Sequence, residues 1–469
     1  MRALMVQGTS SWAGKSLLVT ALARLIARRG IAVAPFKGQN MSNNARVVRG
    51  GEIGVAQYLQ ALAARVEPDV RMNPVLVKPE GDNRSQVVVL GAPDLKLSRA
   101  PWRTRAPSLW PAIESSLRSL ASEYELLLIE GAGNPAEINL LSTDLANMRV
   151  ARLAGASVLL VADIERGGAF AHLYGTWALL EPSDRALVRG FVLNKFRGDA
   201  SLLPPGPERL EELTGVPVLG VVPRLEHGLP DEDGAATPLR SGTPKPVVVV
   251  VRYPTASNLD ELKPLEQVAD VVWARTARDL EGADLVVLPG SKHVAGDLAW
   301  LRRNGLGDTV AARARAGGRV LGICGGLQLL GEAIEDPAGV DGEGRGLGLL
   351  PLTTVFSREK RTRRTRSRFA ELEPPWSKLS GREVSGYEIR HGTTQASGPV
   401  AAALPDGLGF AAGPVLGVYL HGLFEQPELV EALLGVLPER SLDAEFDRLA
   451  DAVEPHLDLD GLLALAGVA

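Results

Sequence analysis

The chain's one cysteine, Cys324, lies in Arg319-Val-Leu-Gly-Ile-Cys-Gly-Gly-Leu-Gln-Leu-Leu-Gly331. Val320, Leu321 and Ile323 read as a buried strand, and Leu327 and Leu330 open a helical apolar stripe. Glycines flank the cysteine on both sides. That is the cysteine form of a nucleophile elbow, a sharp strand-to-helix turn that exposes the reactive atom. A thiol at a helix start also meets the positive end of the helix dipole, which favours thiolate. The bland alternative is a small buried thiol, the usual state of a free cysteine. His421 ends the apolar run Val415-Leu-Gly-Val-Tyr-Leu420. There it could face the elbow, take the thiol proton as general base and return it to a leaving group; a structural histidine is the alternative. The run 285–288 ends in Pro289-Gly290-Ser291-Lys292, so backbone N–H groups of Gly290 and Gly325 could form an oxyanion hole beside Cys324.

A second set of residues points to phosphate chemistry. A strand over 3–6 runs into Gly8-Thr-Ser-Ser-Trp-Ala-Gly14-Lys15-Ser16, and a helix is expected over 17–29. Strand, glycine loop and helix together cradle phosphates with backbone N–H groups; Lys15 meets the β/γ oxygens and Ser16 offers its hydroxyl to Mg²⁺. Gly8 and Gly14 have five residues between them instead of the common four. Either Thr9 takes the first position or this is the variant loop of dethiobiotin synthetase and its relatives. A strand over 31–36 delivers Lys37 to the same sheet edge, where it could reach a transferring phosphate, with the amides Asn40, Asn43 and Asn44 beside it. Two further apolar runs, 126–129 and 157–162, end in Glu130 and Asp163. Acidic residues there are what a nucleotide-bound Mg²⁺ needs, or else they are helix caps. Asn194, at the end of another strand, could read a purine edge.

Strands alternating with helices through Val222 imply a parallel sheet covered on both faces. From 223 to 246 Pro, Gly, Asp and Glu dominate, which reads as a linker in which His227 is solvated. A second α/β unit restarts at 247 and runs to about 435. Residues 436–469 read as a helical segment packed on that second unit. Residues 51–66 read as a helix, and the basic stretch 358–368 as an exposed strand and loop. The 469 residues exceed one ordinary core, and 45% hydrophobic with 23% charged residues describes a soluble globular protein. A net charge of −4 gives no pull toward nucleic acid. One cysteine excludes an intrachain disulfide and suits a reducing cytoplasm. No signal peptide precedes the first strand, and the run 407–424 is too rich in glycine for a membrane span. A homo-oligomer stays open.

The combination of Gly8–Ser16, Pro35-Phe-Lys-Gly-Gln-Asn-Met41, Gly51-Glu-Ile-Gly-Val-Ala-Gln57, Met72-Asn-Pro-Val-Leu-Val-Lys-Pro79, Ser85-Gln-Val-Val-Val89 and Asp163-Ile-Glu-Arg-Gly-Gly168 resembles the cobyric acid synthase family of cobalamin biosynthesis. Pro289-Gly-Ser-Lys292, Cys324, Ser385-Gly-Tyr-Glu-Ile389 and Tyr419-Leu-His421-Gly422 extend the resemblance over nearly the whole chain. It implies a dethiobiotin-synthetase-like P-loop domain followed by a class I glutamine amidotransferase domain with a flavodoxin-like sheet. It also implies ATP- and glutamine-dependent amidation of four carboxylates of a corrinoid, adenosylcobyrinic acid a,c-diamide, with ammonia passed between the two sites. Similar architecture belongs to cobyrinic acid a,c-diamide synthases. A partitioning-type ATPase switch with an inert second domain is the reading from another class. This chain departs from the family in having His293-Val294 for a usual Asn-Thr and Arg390 for a histidine. No acidic third member for the Cys–His pair is evident, and Glu425 is not assigned to it.

Overall fold

Leu126-Leu-Leu-Ile-Glu130 is apolar up to its last residue, and all five positions are buried. Such a run suits a strand covered on both faces, which a parallel sheet with crossover helices provides. In the computed structural model, which describes residues 1–81, 84–230 and 245–468, it is one of six strands in an all-parallel sheet. Their order is Val218–Pro223, Val188–Phe196, Ser157–Asp163, Ala3–Gly8, Leu126–Glu130 and Val33–Phe36. Ala3–Gly8 sits between Ser157–Asp163 and Leu126–Glu130, so its carboxyl end feeds the phosphate loop between the two acidic strand ends. The helix Lys15–Arg28 starts directly after that loop.

The second unit holds a seven-stranded sheet in the order Asp270–Ala274, Val247–Val251, Leu285–Leu288, Arg319–Ile323, Val415–Val418, Gly409–Ala412, Ala401–Leu404. The first five strands are parallel and the last two antiparallel. Arg319–Ile323 pairs with both Leu285–Leu288 and Val415–Val418. The elbow and the loops that precede Ser291 and His421 therefore share one edge.

Several local expectations change. Residues 51–66 divide into a strand, Gly51–Gly54, and a helix, Val55–Ala63, because the strand pairs with Ala45–Val48 in a hairpin. The basic stretch belongs to the strand Leu352–Arg368, which forms a long antiparallel ribbon with Glu383–Ala396. This ribbon leans on the first domain: Lys360 pairs with Glu52, and Arg364 with Glu67 at 3.0 Å. The C-terminal helices pack on the first domain, not the second. Phe446, Leu449, Val453 and Leu462 share a core with Leu18, Leu22 and Ile26, while Arg28 meets Asp447 at 2.8 Å. The apolar stripe of Leu442–Val453 and its aspartates match the face of Lys15–Arg28 that carries Arg24 and Arg28. Of the expected linker, 231–244 lies outside the described residues. His227 is half-buried, with Nδ1 3.1 Å from the Leu229 carbonyl, so it is not a solvated side chain. Among the described residues no helix is long and apolar enough to cross a membrane.

Candidate active site

Gly14 caps the helix Lys15–Arg28 with φ of 91°, and a side chain there would collide with the Asn194 amide 2.1 Å away. Only glycine fits that position. Asn194 Nδ2 donates to the Ala13 carbonyl at 2.8 Å, so the residue expected to read a base edge braces the loop. Lys15 Nζ donates to the carbonyls of Ser10 (3.0 Å) and Gly133 (3.3 Å), folding over the loop it belongs to. Thr9 holds the loop to the sheet by N–H donation to Val161 O at 2.9 Å, and its Oγ1 is buried with no hydrogen-bond partner among the described residues.

Glu130 is fully buried and gathers three groups. Ser16 Oγ donates to Oε1 at 2.9 Å, Lys37 Nζ to the same oxygen at 2.8 Å, and Gln60 Nε2 to Oε2 at 2.5 Å. Gln60 escaped the sequence reading, since a glutamine on a helix carries no mark of its partner. Asp163 does not join this set. Its Oδ2 accepts from Lys195 Nζ at 2.9 Å and its Oδ1 from the Glu165 N–H at 3.0 Å, and Lys195 in turn donates to Trp12 O. Asp163 thus fastens the far side of the loop. Among the described residues no three His, Cys, Asp or Glu side chains cluster as a metal cage. A hydroxyl and a carboxylate oxygen 2.9 Å apart beside a phosphate loop nevertheless fit a hard cation that takes its other ligands from phosphate and water.

The thiol centre lies at the other sheet's carboxyl edge. Cys324 adopts φ 53°, ψ −107°, a conformation that side-chain-bearing residues rarely hold and a mark of a strained elbow. Its N–H donates to Val418 O at 2.8 Å, and its Sγ–H lies 3.5 Å from Ile389 O. A side chain at Gly326 would approach Leu288 O to 1.9 Å, and one at Gly325 would lie 2.5 Å from Ser291 N. The elbow therefore fits closely into the turn that carries Gly290, whose α-carbon faces the His421 ring: a β-carbon there would sit 3.1 Å from Cε1. Cys324, His421, Gly290 and Gly325 are thus brought together.

His421 is buried and its Nδ1 lies 2.8 Å from Glu261 Oε1, while the other Glu261 oxygen accepts the Gly422 N–H at 2.7 Å. Burial alone would lower the histidine's pKa; the Glu261 carboxylate and the Cys324 sulfur outweigh it and push it up to about 10. The raised value favours an imidazolium held between the Glu261 carboxylate and the sulfur. Tyr387 stacks on the ring, centroids 5.1 Å apart and 17° from parallel. Glu261 is the acidic member absent from the sequence reading. It sits in the 3₁₀ segment Leu259–Gln267 with Asp260 and Glu266 as equally acidic neighbours, and nothing local separates it from them. The two departures have structural partners: Arg390 Nε meets Glu388 at 2.9 Å and lies over Tyr419, and His293 pairs with Asp341 at 3.0 Å.

A cavity of about 640 Å³ lies between the two units. Lys15, Ser16, Lys37 and Glu130 line it from the first, and Tyr253 and Leu259 from the second. Both sheets therefore turn strand ends, Phe36 and Glu130 on one side and Val251 on the other, toward a common space. Tyr253 separates this space from the elbow: its hydroxyl donates to Pro289 O, the residue before Gly290. Beside it the interface is polar. Lys78 donates to Glu52 at 2.6 Å, Lys360 reaches the other Glu52 oxygen, and Lys292 reaches Glu80 and Gln86, both at 3.2 Å. Burial and the neighbouring lysines pull Lys78 down to about 7 against the pull of Glu52.

Residues 4–229 match the CobQ/CobB/MinD/ParA nucleotide binding domain family, and residues 247–429 the CobB/CobQ-like glutamine amidotransferase domain family. A cobyric acid synthase of Variovorax paradoxus (strain S110) is 56% identical, with 99% of each chain covered. One from Paracidovorax citrulli (strain AAC00-1) is 57% identical, and one from Polaromonas sp. (strain JS666 / ATCC BAA-500) 55%; each match covers 97% of both chains.

Proposed function

The chain belongs to the cobyric acid synthase family, a glutamine-dependent amidating ligase of cobalamin biosynthesis, and from that premise we propose that it amidates the b, d, e and g carboxylates of adenosylcobyrinic acid a,c-diamide. The observation that supports the reading is the shared cavity, lined by Lys15, Ser16, Lys37 and Glu130 on one side and on the other by Tyr253, whose hydroxyl donates to the Pro289 carbonyl beside Gly290. Glutamine binds at the elbow. Cys324 Sγ attacks the side-chain amide carbon, and the oxyanion rests on the N–H groups of Gly290 and Gly325. The His421 imidazolium gives its proton to the departing nitrogen, so ammonia leaves and a thioester remains. The imidazole, held by Glu261, then takes a proton from the attacking water, which releases glutamate and restores the thiolate–imidazolium pair.

At the first domain a corrinoid carboxylate attacks the γ-phosphorus of ATP and ADP leaves, because a free carboxylate is too poor an electrophile for ammonia. Thr9, Gly14 and Lys15 cradle the phosphates, Asn194 and Asp163 hold the loop in shape, and Lys37 neutralises charge on the group in flight. Ser16 and Glu130 would hold a Mg²⁺ ion, which would supply charge neutralisation to the phosphates. Ammonia then displaces phosphate from the acyl phosphate. Its passage past Tyr253 avoids bulk water, where it would be protonated. A catalytic thiol that must stay reduced suits the cytoplasm.

Incubation with ATP, glutamine and the a,c-diamide should give a corrinoid carrying four new amides by mass spectrometry. An unaltered corrinoid, or an enzyme that converts cobyrinic acid to its a,c-diamide and adds no further amides, contradicts the proposal.

A further inference from the structure

Glu261 does not hold its place through its own domain alone. Asn44 Oδ1 accepts the Leu259 N–H at 3.0 Å, and Ala45 O accepts from Asn258 Nδ2 at 2.7 Å. The Arg46 guanidinium pairs with Asp260. Three consecutive residues of the first domain thus grip the three residues that precede Glu261. Arg46 also pairs with Glu425, four residues beyond His421, and lies 5.2 Å from the centroid of Tyr387, the ring stacked on His421. Asn258 Nδ2 donates to the Tyr387 hydroxyl as well, at 3.0 Å. One buried cation therefore touches the chain on both sides of the Glu261–His421 hydrogen bond and the ring that fixes the imidazole plane.

We propose that Arg46 is a positioning residue for glutamine hydrolysis: from the first domain it holds Glu261 and the His421 loop in register. It touches neither thiol nor substrate. Asn43 and Asn44, three and two residues before it, line the shared cavity, so the grip starts beside the space assigned to the ATP-dependent step. A lysine at 46 keeps the charge but cannot span two carboxylates in a fixed planar fork. The groups that face His421 are Glu261, Cys324 and Tyr387, with Asp260, Glu425 and Arg46 behind them. Loss of the Arg46 side chain loosens Glu261 and with it the Glu261–His421 hydrogen bond that holds the imidazolium.

This inference rests on the reading of Cys324 and His421 as a glutaminase. In the full chain, Arg46→Ala should lower kcat for glutamate release about tenfold. It should move the alkaline limb of the pH profile to lower pH and leave ammonia-dependent amidation unchanged. Arg46→Lys should recover part of kcat, and Glu425→Gln should show a smaller loss of the same kind. Unchanged glutamate release with an unmoved pH profile overturns the proposal, in Glu425→Gln if Arg46→Ala does not fold. Equal loss of ammonia- and glutamine-dependent turnover in a folded Arg46→Ala also overturns it. A wild-type protein that releases no glutamate defeats the underlying reading and the inference together. An active wild type with an unaffected variant defeats the inference alone.

Discussion

The phosphate centre and the thiol centre are assembled in opposite ways. The first is built mostly from one contiguous loop, Gly8–Ser16, whose geometry follows from glycine at position 14 and a helix that begins at Lys15. The second joins Cys324, His421 and Glu261, and the last two are 160 residues apart in the chain. Its strained elbow is local, but the carboxylate that raises its histidine's pKa arrives on an unrelated segment, which the other domain grips. The groups proposed to make and break bonds come from short, readable motifs; those proposed to orient them come from tertiary packing. The phosphate loop should therefore tolerate change in the second domain, while the thiol centre should feel change in both.

Substitutions sharpen this contrast, and the largest effects fall on the reacting groups. Cys324→Ala should abolish glutamine-dependent amidation and leave ammonia-dependent amidation intact; Lys15→Ala should remove both. Assays with the two nitrogen donors separate the cases, and a Cys324→Ala protein that has lost both would make the elbow structural. Glu261→Gln keeps the shape but leaves His421 without its counter-charge. Glutamate release should fall by about 10² or more, as it does when a buried triad carboxylate becomes an amide. Wild-type glutamate release should hold to high pH and fall as His421 loses its proton near 10. The same raised pKa contributes stability that is complete below about 6.5 and is lost as pH rises through about 10.

A smaller, structural effect concerns the lysines between the domains. Burial would raise the Glu52 pKa, but Lys360 and Lys78 outweigh it and hold it at about 2. Its contribution to stability is present above the ordinary carboxylate value and lost as pH falls toward 2. Glu52→Gln removes the counter-charge of Lys360 and lets Lys78 give up its proton, and should cost about 1–3 kcal/mol in denaturant unfolding. A change below 1 kcal/mol would mean the interface rests on its apolar contacts.

Much of this was legible in the chain itself. Continuous apolar runs ending in Glu130 and Asp163 marked parallel strands and their ligand edge, and the glycines around Cys324 marked the elbow. Three features were not legible, each for a physical reason. Glu261 is one acid among several in a segment whose apolar residues, Leu259, Leu262 and Leu265, mark the buried side but not which carboxylate meets His421. Asp163 looks identical to Glu130 at a strand end, yet Lys195 claims its carboxylate while Ser16 and Lys37 meet Glu130. The C-terminal helices have an apolar stripe that would suit either domain, and only the match of Asp443, Asp447 and Asp451 to Arg24 and Arg28 selects the first.

The central claim is that nitrogen freed at Cys324 is consumed in the shared cavity without entering bulk solvent. Supply of amide-¹⁵N glutamine, ATP and the corrinoid in the presence of excess unlabelled ammonium tests it directly. The account predicts that the new amides carry ¹⁵N almost undiluted; label diluted to the composition of the bulk ammonium pool would contradict it.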